Sequence, residues 1–169
     1  MAIRTILHYP DPRLRLKAVS VAEVTPAIEQ LIDDMAETMY AAPGVGLAAT
    51  QIGELHRIFL IDIAGEDQPS DLRVFINPEI TRKDGEQLWP EGCLSFPGVN
   101  EDIKRAETVT VRALGRDGKP FEVSAGGLLA VAIQHENDHL EGVLMIDRMG
   151  VLKKRIVHRK MQKRSLEAT

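Results

Sequence analysis

The chain has 169 residues, of which 44% are hydrophobic and 27% charged, with a formal net charge of −4, a composition typical of a globular protein with one sizeable core. An aromatic content of 4% argues against a surface that stacks single-stranded nucleic acid, the single cysteine excludes an intrachain disulfide, and no apolar run approaches the ~18 residues of a membrane span. We therefore expect a cytoplasmic protein that binds neither a membrane nor DNA.

The first long helix is predicted to begin at Thr25-Pro26, because threonine caps helix ends and proline suits the first helical position. Apolar residues then recur at helical spacing from Ile28 to Met39. Pro43-Gly44 is expected to end the helix. Closer to the N-terminus, Asp11-Pro12-Arg13-Leu14 predicts a turn or a short helical start.

Strand patterns occupy the middle of the chain. In order, they are Arg57–Ile63, Leu72–Asn77, a turn-linked pair over Ile80–Leu88, Thr108–Leu114 and Phe121–Ser124. We expect Pro78 to stop the second strand and Asp117-Gly118 to form the last hairpin turn.

Two helices are predicted after the strands, one from about Gly126 to Leu140 and a basic one over 151–166. The apolar side of the basic helix is predicted to consist of Leu152, Ile156 and Met161. We expect an α+β fold, with mainly antiparallel sheets around a central metal-binding helix plus a C-terminal helix, in a single domain over 1–169.

The stretch His135-Glu136-Asn137-Asp138-His139 carries the strongest chemical signal. Residues four apart share a helix face, so His135 and His139 can aim two ring nitrogens at one metal ion. Glu136 lies about 100° around the axis, where its carboxylate can flank the metal as a base. The alternative is a pair of ordinary histidines among solvated charges.

A catalytic zinc-type site uses three protein ligands, so a third is needed. Cys93 is the favoured candidate because Gly92 beside it allows close backbone approach. A lone cysteine is otherwise most often a buried apolar thiol. Asp147 is a second and less convincing candidate.

Three segments together resemble the motifs of the peptide deformylase family. They are Gly44 to Gln51 (GVGLAATQ), Glu91 to Ser95 (EGCLS) and Gln134 to Leu140 (QHENDHL). Their order and spacing agree with the family, and the resemblance spans almost the whole chain. Departures include Phe96 in place of the usual Ile or Val, which we expect to reshape the site entrance, and Ala132 in place of a common Cys.

The resemblance implies an enzyme that removes the formyl group from N-formylmethionine on nascent peptides and releases formate. It implies one divalent metal ion, usually Fe²⁺ with Zn²⁺ as an alternative, bound by Cys93, His135 and His139. Glu136 would take a proton from the attacking water and deliver it to the leaving amine. The Gln51 amide and the Leu94 backbone N–H would stabilise the oxyanion.

The resemblance also suggests residues that bind the substrate. Glycines at 44, 46 and 92 would let the backbone crowd the formyl group and exclude an acetyl methyl. Val45, Leu128 and Val131 are candidate walls of the methionine pocket, although plain core packing would also explain them. Main-chain groups near Gly46 would pair with the peptide as an added strand.

The tail has its own charge pattern. Residues 151–169 contain seven Lys or Arg and one acid, a charge of +6, which leaves −10 on residues 1–150. By resemblance, 151–166 would dock on the ribosome near the nascent-chain exit. The other interpretation is a solvated helix, and we expect the protein to be a monomer.

Two rival functions remain open from the sequence. A zinc endopeptidase on the same helix would not need Cys93. A ribosome- or RNA-associated protein with a structural metal would not need Glu136, but it would need a fourth protein ligand.

Overall fold

A computed structural model describes residues 2–65 and 67–167 of the chain. Its α-helices are α1 (Pro26–Ala41), α2 (Gly127–Leu140) and α3 (Val151–Glu167). Its strands are β1 (Gly46–Ala48), β2 (Ile58–Ile61), β3 (Arg73–Asp84), β4 (Gln87–Cys93), β5 (Phe96–Arg105), β6 (Thr108–Leu114) and β7 (Pro120–Gly126). Short 3₁₀ turns cover Pro12–Arg15, Ala49–Ile52 and Met145–Arg148.

The strands form two separate antiparallel sheets. The larger sheet has the order β1-β2-β3-β6-β7, and the smaller sheet pairs β4 with β5. Helix α2 lies against β1, β2 and β7 of the larger sheet. The predicted α+β fold, with mainly antiparallel sheets around a central helix, is confirmed.

Helix α1 begins where its sequence predicts. The Thr25 hydroxyl accepts the backbone N–H of Ile28 at 3.2 Å, and proline occupies the first turn. The apolar face of α1, including Ile32, Met35 and Met39, is fully buried against the larger sheet. Removing this face from water stabilises the helix more than its intrinsic propensity does.

Helix α2 is buried on most of its circumference, from Ala130 through Glu136 and again at His139 and Leu140. Ile133 and Leu140 pack with Phe59 and Phe75 in one apolar cluster. The polar residues of α2 therefore face the protein interior, where each needs a partner.

Two strand predictions are wrong. The strand does not stop at Pro78. Strand β3 continues through this proline, with a register shift between Ile76 and Glu79. Asn77 adopts a positive φ of 52° at this bulge, and its side chain bonds both backbone groups of Val21. A bulge accommodates proline because it does not require a ladder N–H.

The pair predicted within Ile80–Leu88 does not exist as a hairpin. Strand β3 pairs with β6, whereas β4 turns away and pairs with β5. Strand β5 has no counterpart in the sequence prediction, because Pro97 and Gly98 interrupt its pattern near the start.

The basic helix α3 forms as predicted, but Met161 is the one residue of its predicted apolar side that is buried. Leu152 and Ile156 are 72% and 58% exposed, whereas Val157 and Met161 are 4% and 1% exposed. Val157 and Met161 pack into the apolar cluster of β5. Among the described residues, no helix has both the length and the apolar character needed to cross a membrane.

Candidate metal centre

The end of β4 and one face of α2 bring three potential metal ligands together. Cys93 Sγ and the ring nitrogens of His135 and His139 all lie within 4.8 Å of one another. Cys93 Sγ is 3.4 Å from His139 Nε2. The structure therefore places the three predicted ligands in one cluster.

The cluster suits a divalent ion in both geometry and donor chemistry. With metal–sulfur and metal–nitrogen bonds of ~2.3 and ~2.0 Å, the ligand atoms of a tetrahedral ion are about 3.3–3.6 Å apart. The Cys93–His139 separation lies in that range. Three protein ligands is the number that catalytic sites use, and this donor set accommodates either Fe²⁺ or Zn²⁺.

Glu136 lies beside this cluster with its carboxylate buried. Its Oε1 is 3.8 Å from His135 Nε2, and its buried Oε2 has no hydrogen-bond partner among the described residues. Gly46 permits this placement, because a Cβ built there would lie 3.1 Å from Glu136 Cδ and Oε2. Burial raises the pKa of Glu136 to about 7, so the carboxyl can exchange a proton near neutral pH.

His135 is oriented by a buried ion pair that the sequence prediction did not include. Its Nδ1 lies 2.9 Å from Glu91 Oε1, and Arg105 binds both oxygens of Glu91 at 2.8 and 2.9 Å. Burial acts to raise the pKa of Glu91, but the hydrogen bonds from Arg105 and His135 outweigh it and bring that pKa to about 2. The only sequence signal for Arg105 was its spacing of two from Ile103, since alternate strand residues share a face.

The two imidazoles differ electrostatically. Burial, with a contribution from His135, lowers the pKa of His139 well below its usual value. Burial also acts to lower the pKa of His135, but Cys93 and Glu91 outweigh it and raise that pKa well above its usual value. Neutral His139 is thus already in the form that binds a metal.

Gln51 and Leu94 flank Cys93. Gln51 Oε1 accepts the backbone N–H of Ala48 at 2.9 Å. Its Nε2 donates to Ser95 Oγ at 3.0 Å and lies 3.7 Å from Cys93 Sγ, so the amide donor faces the cluster. Leu94 follows Cys93 in the turn between β4 and β5.

A cavity of about 780 Å³ opens onto the cluster. The predicted substrate residues line it together with Cys93, His135 and Glu136; they are Gly44, Val45, Gly46, Gly92, Leu128 and Val131. Cavities of several hundred Å³ hold small ligands. The cavity can therefore receive a peptide terminus beside Glu136.

The three predicted glycines differ in how closely they are packed. A Cβ at Gly44 would lie 2.7 Å from Leu94 Cδ1, and one at Gly46 would crowd Glu136. A Cβ at Gly92 would meet only the Val99 carbonyl oxygen, at an ordinary 3.7 Å. A side chain at position 44 or 46 would therefore require Leu94 or Glu136 to shift, whereas one at position 92 would not.

Two other acidic residues, Asp138 of α2 and the second ligand candidate Asp147, do not join the cluster. Asp138 bonds to Arg105 at 2.6 Å and to Arg148 at 2.9 Å rather than to an imidazole. Asp147 accepts the Leu144 backbone N–H at 2.9 Å and is not part of the ligand cluster.

The chain is similar to known proteins along its whole length. The family profile described as Polypeptide deformylase matches residues 3–155. A peptide deformylase of Syntrophobacter fumaroxidans is 52% identical over 100% of this chain and 99% of its own.

Solved structures agree with this similarity. A peptide deformylase from Legionella pneumophila superposes with a TM-score of 0.92 at 48% identity, covering 99% of this chain and 98% of its own. One from Ehrlichia chaffeensis in complex with actinonin has a TM-score of 0.92 at 34% identity, covering 97% and 98%. The chain therefore belongs to the polypeptide deformylase family of metal-dependent hydrolases.

Proposed function

We propose that this chain hydrolyses the N-formyl group of formylmethionine at the start of newly made polypeptides, in the cytoplasm, with residues 1–169 acting as one catalytic domain. The observation that supports it most directly is the cluster of Cys93, His135 and His139 beside buried Glu136, at the base of a cavity. Water adds to the formyl carbon and the carbon–nitrogen bond breaks. Formate and a peptide with a free amino terminus leave.

The ligand set is Cys93, His135 and His139, and we propose Fe²⁺ as the ion, with Zn²⁺ as the alternative. A divalent ion bound there would supply Lewis-acid polarisation of the formyl oxygen and a lowered pKa for a coordinated water.

Glu136 performs the proton transfers. Its carboxylate takes a proton from the attacking water and delivers it to the departing amine nitrogen. Its buried position keeps bulk water from competing for the same hydrogen bonds, and a pKa near the working pH suits both transfers. The absence of a protein partner on Oε2 among the described residues leaves that atom available to the substrate water.

The negative charge that develops on the formyl oxygen needs donors already in place. The Gln51 amide is one, because Ala48 and Ser95 hold it in a single orientation with Nε2 toward the cluster. The backbone N–H of Leu94 is the second. Each such donor contributes about 3 kcal/mol to transition-state stabilisation.

The cavity walls explain a preference for formylmethionine. Gly44 and Gly46 bring Leu94 and Glu136 close to the reacting carbonyl, which leaves room for hydrogen and disfavours the methyl of an acetyl group. Val45, Leu128 and Val131 supply apolar walls for the methionine side chain. Since the Ehrlichia relative was solved with actinonin, we expect that compound to occupy this cavity and inhibit the enzyme.

The reaction is tested by measuring formate release from a short N-formylmethionyl peptide, with protein purified without oxygen and loaded with Fe²⁺. The N-acetylmethionyl peptide is the matched substrate control. Formate release with the acetyl peptide untouched supports the proposal. A folded, metal-loaded sample that releases no formate would contradict it, and cleavage of internal peptide bonds would favour an endopeptidase.

We also propose that α3 docks on the ribosome. Arg155, Arg159 and Lys163 are exposed, and among residues 2–65 and 67–167 they have no partner. Lys153 and Lys160, in contrast, bond to Glu101 and to the Gly98 carbonyl of β5. The first three residues thus remain free to meet phosphates.

Sedimentation with ribosomes across a salt series tests this docking. Replacing Arg155, Arg159 and Lys163 by glutamine should weaken co-sedimentation and reduce its salt dependence, because each lost phosphate contact removes about one unit of the log–log slope. Unchanged co-sedimentation of the triple variant would contradict the proposal. The same runs without ribosomes should show a monomer.

A further inference from the structure

Helix α2 presents two parallel pairs of polar residues spaced by four. One pair, His135 and His139, belongs to the ligand cluster. The other, Gln134 and Asp138, lies one position earlier and therefore about 100° around the helix. The second pair contacts the end of β5 and has no role in the proposed chemistry.

Gln134 fixes the backbone at the end of β5. Its Oε1 accepts the N–H of Ala106 and its Nε2 donates to the carbonyl of Ala106, both at 3.0 Å. The amide thus satisfies both backbone groups of one residue, as a neighbouring strand would. The adjacent Arg105 is in consequence held at a fixed distance from α2.

Asp138 and Arg105 form the next contact. Arg105 Nη1 donates to Asp138 Oδ2 at 2.6 Å, and the two side chains are 3% and 13% exposed. Arg148 binds the same carboxylate from outside at 2.9 Å. Asp138 is therefore held between two arginines, and it orients the inner one.

The other two nitrogens of the Arg105 guanidinium bind Glu91. Nε and Nη2 donate to the two oxygens of Glu91 at 2.8 and 2.9 Å, a bidentate geometry that fixes the carboxylate plane. Glu91 Oε1 in turn lies 2.9 Å from His135 Nδ1. A proton held on Nδ1 leaves the Nε2 lone pair for the metal.

The two imidazoles are not equally supported. The buried Nδ1 of His139 has no hydrogen-bond partner in the part of the chain that the structure describes. The orientation of His135 depends on Glu91, and the orientation of Glu91 depends on Arg105. A change in this series of hydrogen bonds would therefore affect metal binding through His135 and not through His139.

We propose that Arg105, braced by Gln134 and Asp138, is a positioning residue that sets metal affinity by holding Glu91 against His135. The inference rests on the proposed metal centre and extends it beyond the three ligands. An isolated carboxylate buried at Glu91 would be unfavourable without a charged partner. A lysine at 105 would retain the charge but lose the planar fork that fixes the orientation of Glu91.

The test is the affinity of the full chain for Co²⁺, measured in competition with a chelator. The thiolate-to-metal absorption band reports how much Co²⁺ the protein has bound. We expect Arg105→Lys to bind Co²⁺ about 10- to 100-fold more weakly than the wild type, the usual effect of losing a partner behind a ligand. Asp138→Asn, which leaves the Arg105–Glu91 pair in place, should weaken binding by a smaller factor.

Arg57→Lys is the matched control. Arg57 also ties α2 to a strand, through Glu141 at 2.6 Å and the Pro78 carbonyl at 2.8 Å, but it has no link to Glu91. Its Co²⁺ affinity should stay within about twofold of the wild type. Far-UV circular dichroism of each metal-free variant checks that it is folded, and Asp138→Asn serves as the test if Arg105→Lys is not.

The outcomes distinguish a failure of the positioning role of Arg105 from a failure of the proposed metal centre. Wild-type affinity in folded Arg105→Lys, or in Asp138→Asn when that variant serves as the test, would overturn the positioning role. An equal loss in Arg57→Lys would also overturn it, because any loosening of α2 would then suffice. If the wild type itself binds no Co²⁺, the proposed metal centre fails and this inference fails with it. Formate release is measured separately, so a fault in the proposed reaction is distinguishable.

Discussion

A single methyl group at Gly46 should slow the reaction without disturbing the metal. A Cβ built at Gly46 lies 3.1 Å from Glu136 Cδ and Oε2, about 0.3 Å inside the 3.4 Å at which ordinary contact begins. Glu136 is 2% exposed, so its surroundings limit how far it can retreat. Gly46→Ala should therefore displace the carboxylate by a few tenths of an ångström.

The size of the effect follows from the sensitivity of catalysis to position. A misplacement of 1 Å costs about 10²-fold, so 0.3 to 0.5 Å corresponds to roughly four- to tenfold in kcat/KM. Since each factor of ten is about 1.4 kcal/mol, the loss is about 1 kcal/mol. The backbone of Gly46 does not require positive φ, and alanine lowers the entropy of the unfolded chain, so stability should be unchanged or slightly higher.

The assay compares formate release, Co²⁺ affinity and urea unfolding for Gly46→Ala and the wild type. Gly65→Ala is the control, because within residues 2–65 and 67–167 a Cβ there meets only Gln68 Cγ, at 3.9 Å. The expected result is slower formate release, unchanged Co²⁺ affinity, and a stability equal to or slightly above that of the wild type. Full activity in Gly46→Ala would show that Glu136 tolerates displacement, contrary to this prediction.

Three further changes have defined outcomes. Cys93→Ser should reduce the affinity for Co²⁺ by more than about tenfold, measured by chelator competition, because a neutral hydroxyl replaces a thiolate; equal affinity would remove Cys93 from the ligand set. Met35→Ala, at a fully buried position, should lower the free energy of unfolding in urea by about 2–5 kcal/mol, and a loss below 1 kcal/mol would show that α1 repacks. Hydrogen bonds from Gln30 and Arg4 lower the pKa of Asp34, so its stabilising contribution is complete above its usual pKa of about 3.9 and is lost as the pH falls through the lower folded value. Asp34→Asn should accordingly destabilise the protein at pH 7 and destabilise it progressively less as the pH falls below about 3.9, and a pH-independent difference in urea unfolding would contradict this.

Local signals predicted the elements whose chemistry is contained in a few neighbouring residues. Thr25-Pro26 marked the start of α1, and Asp117-Gly118 marked the turn between β6 and β7. The period of α2 put His135 and His139 on one face. These features depend on short-range geometry, which the sequence records directly.

The missed features depend on contacts between distant residues. Pro78 fails to stop β3 because Asn77 finds partners at Val21, more than 50 residues away. In α3, the pairs Leu152–Ile156 and Val157–Met161 have the same spacing, and only the cluster against β5 selects the second. No local pattern distinguishes them.

The same limit applies to the site. The cluster of Cys93, His135 and His139 was predictable because the residue types and the motif spacing are distinctive. Arg105 and Glu91 were not, because each reads as a solvated charge in isolation, and only the fold buries them together at 3% side-chain exposure. The contacts that orient His135 are therefore the part of the site that could be identified only from the structure.

The most direct test of the central account is formate release by Glu136→Gln, loaded with Fe²⁺ without oxygen and compared with the wild type. The amide has the size of the carboxylate but cannot accept the water proton. We expect the variant to bind one metal ion per chain with near wild-type affinity and to lose at least about 10²-fold in kcat. A Glu136→Gln protein that releases formate at the wild-type rate would contradict the assignment of Glu136 as the base and the mechanism built on it.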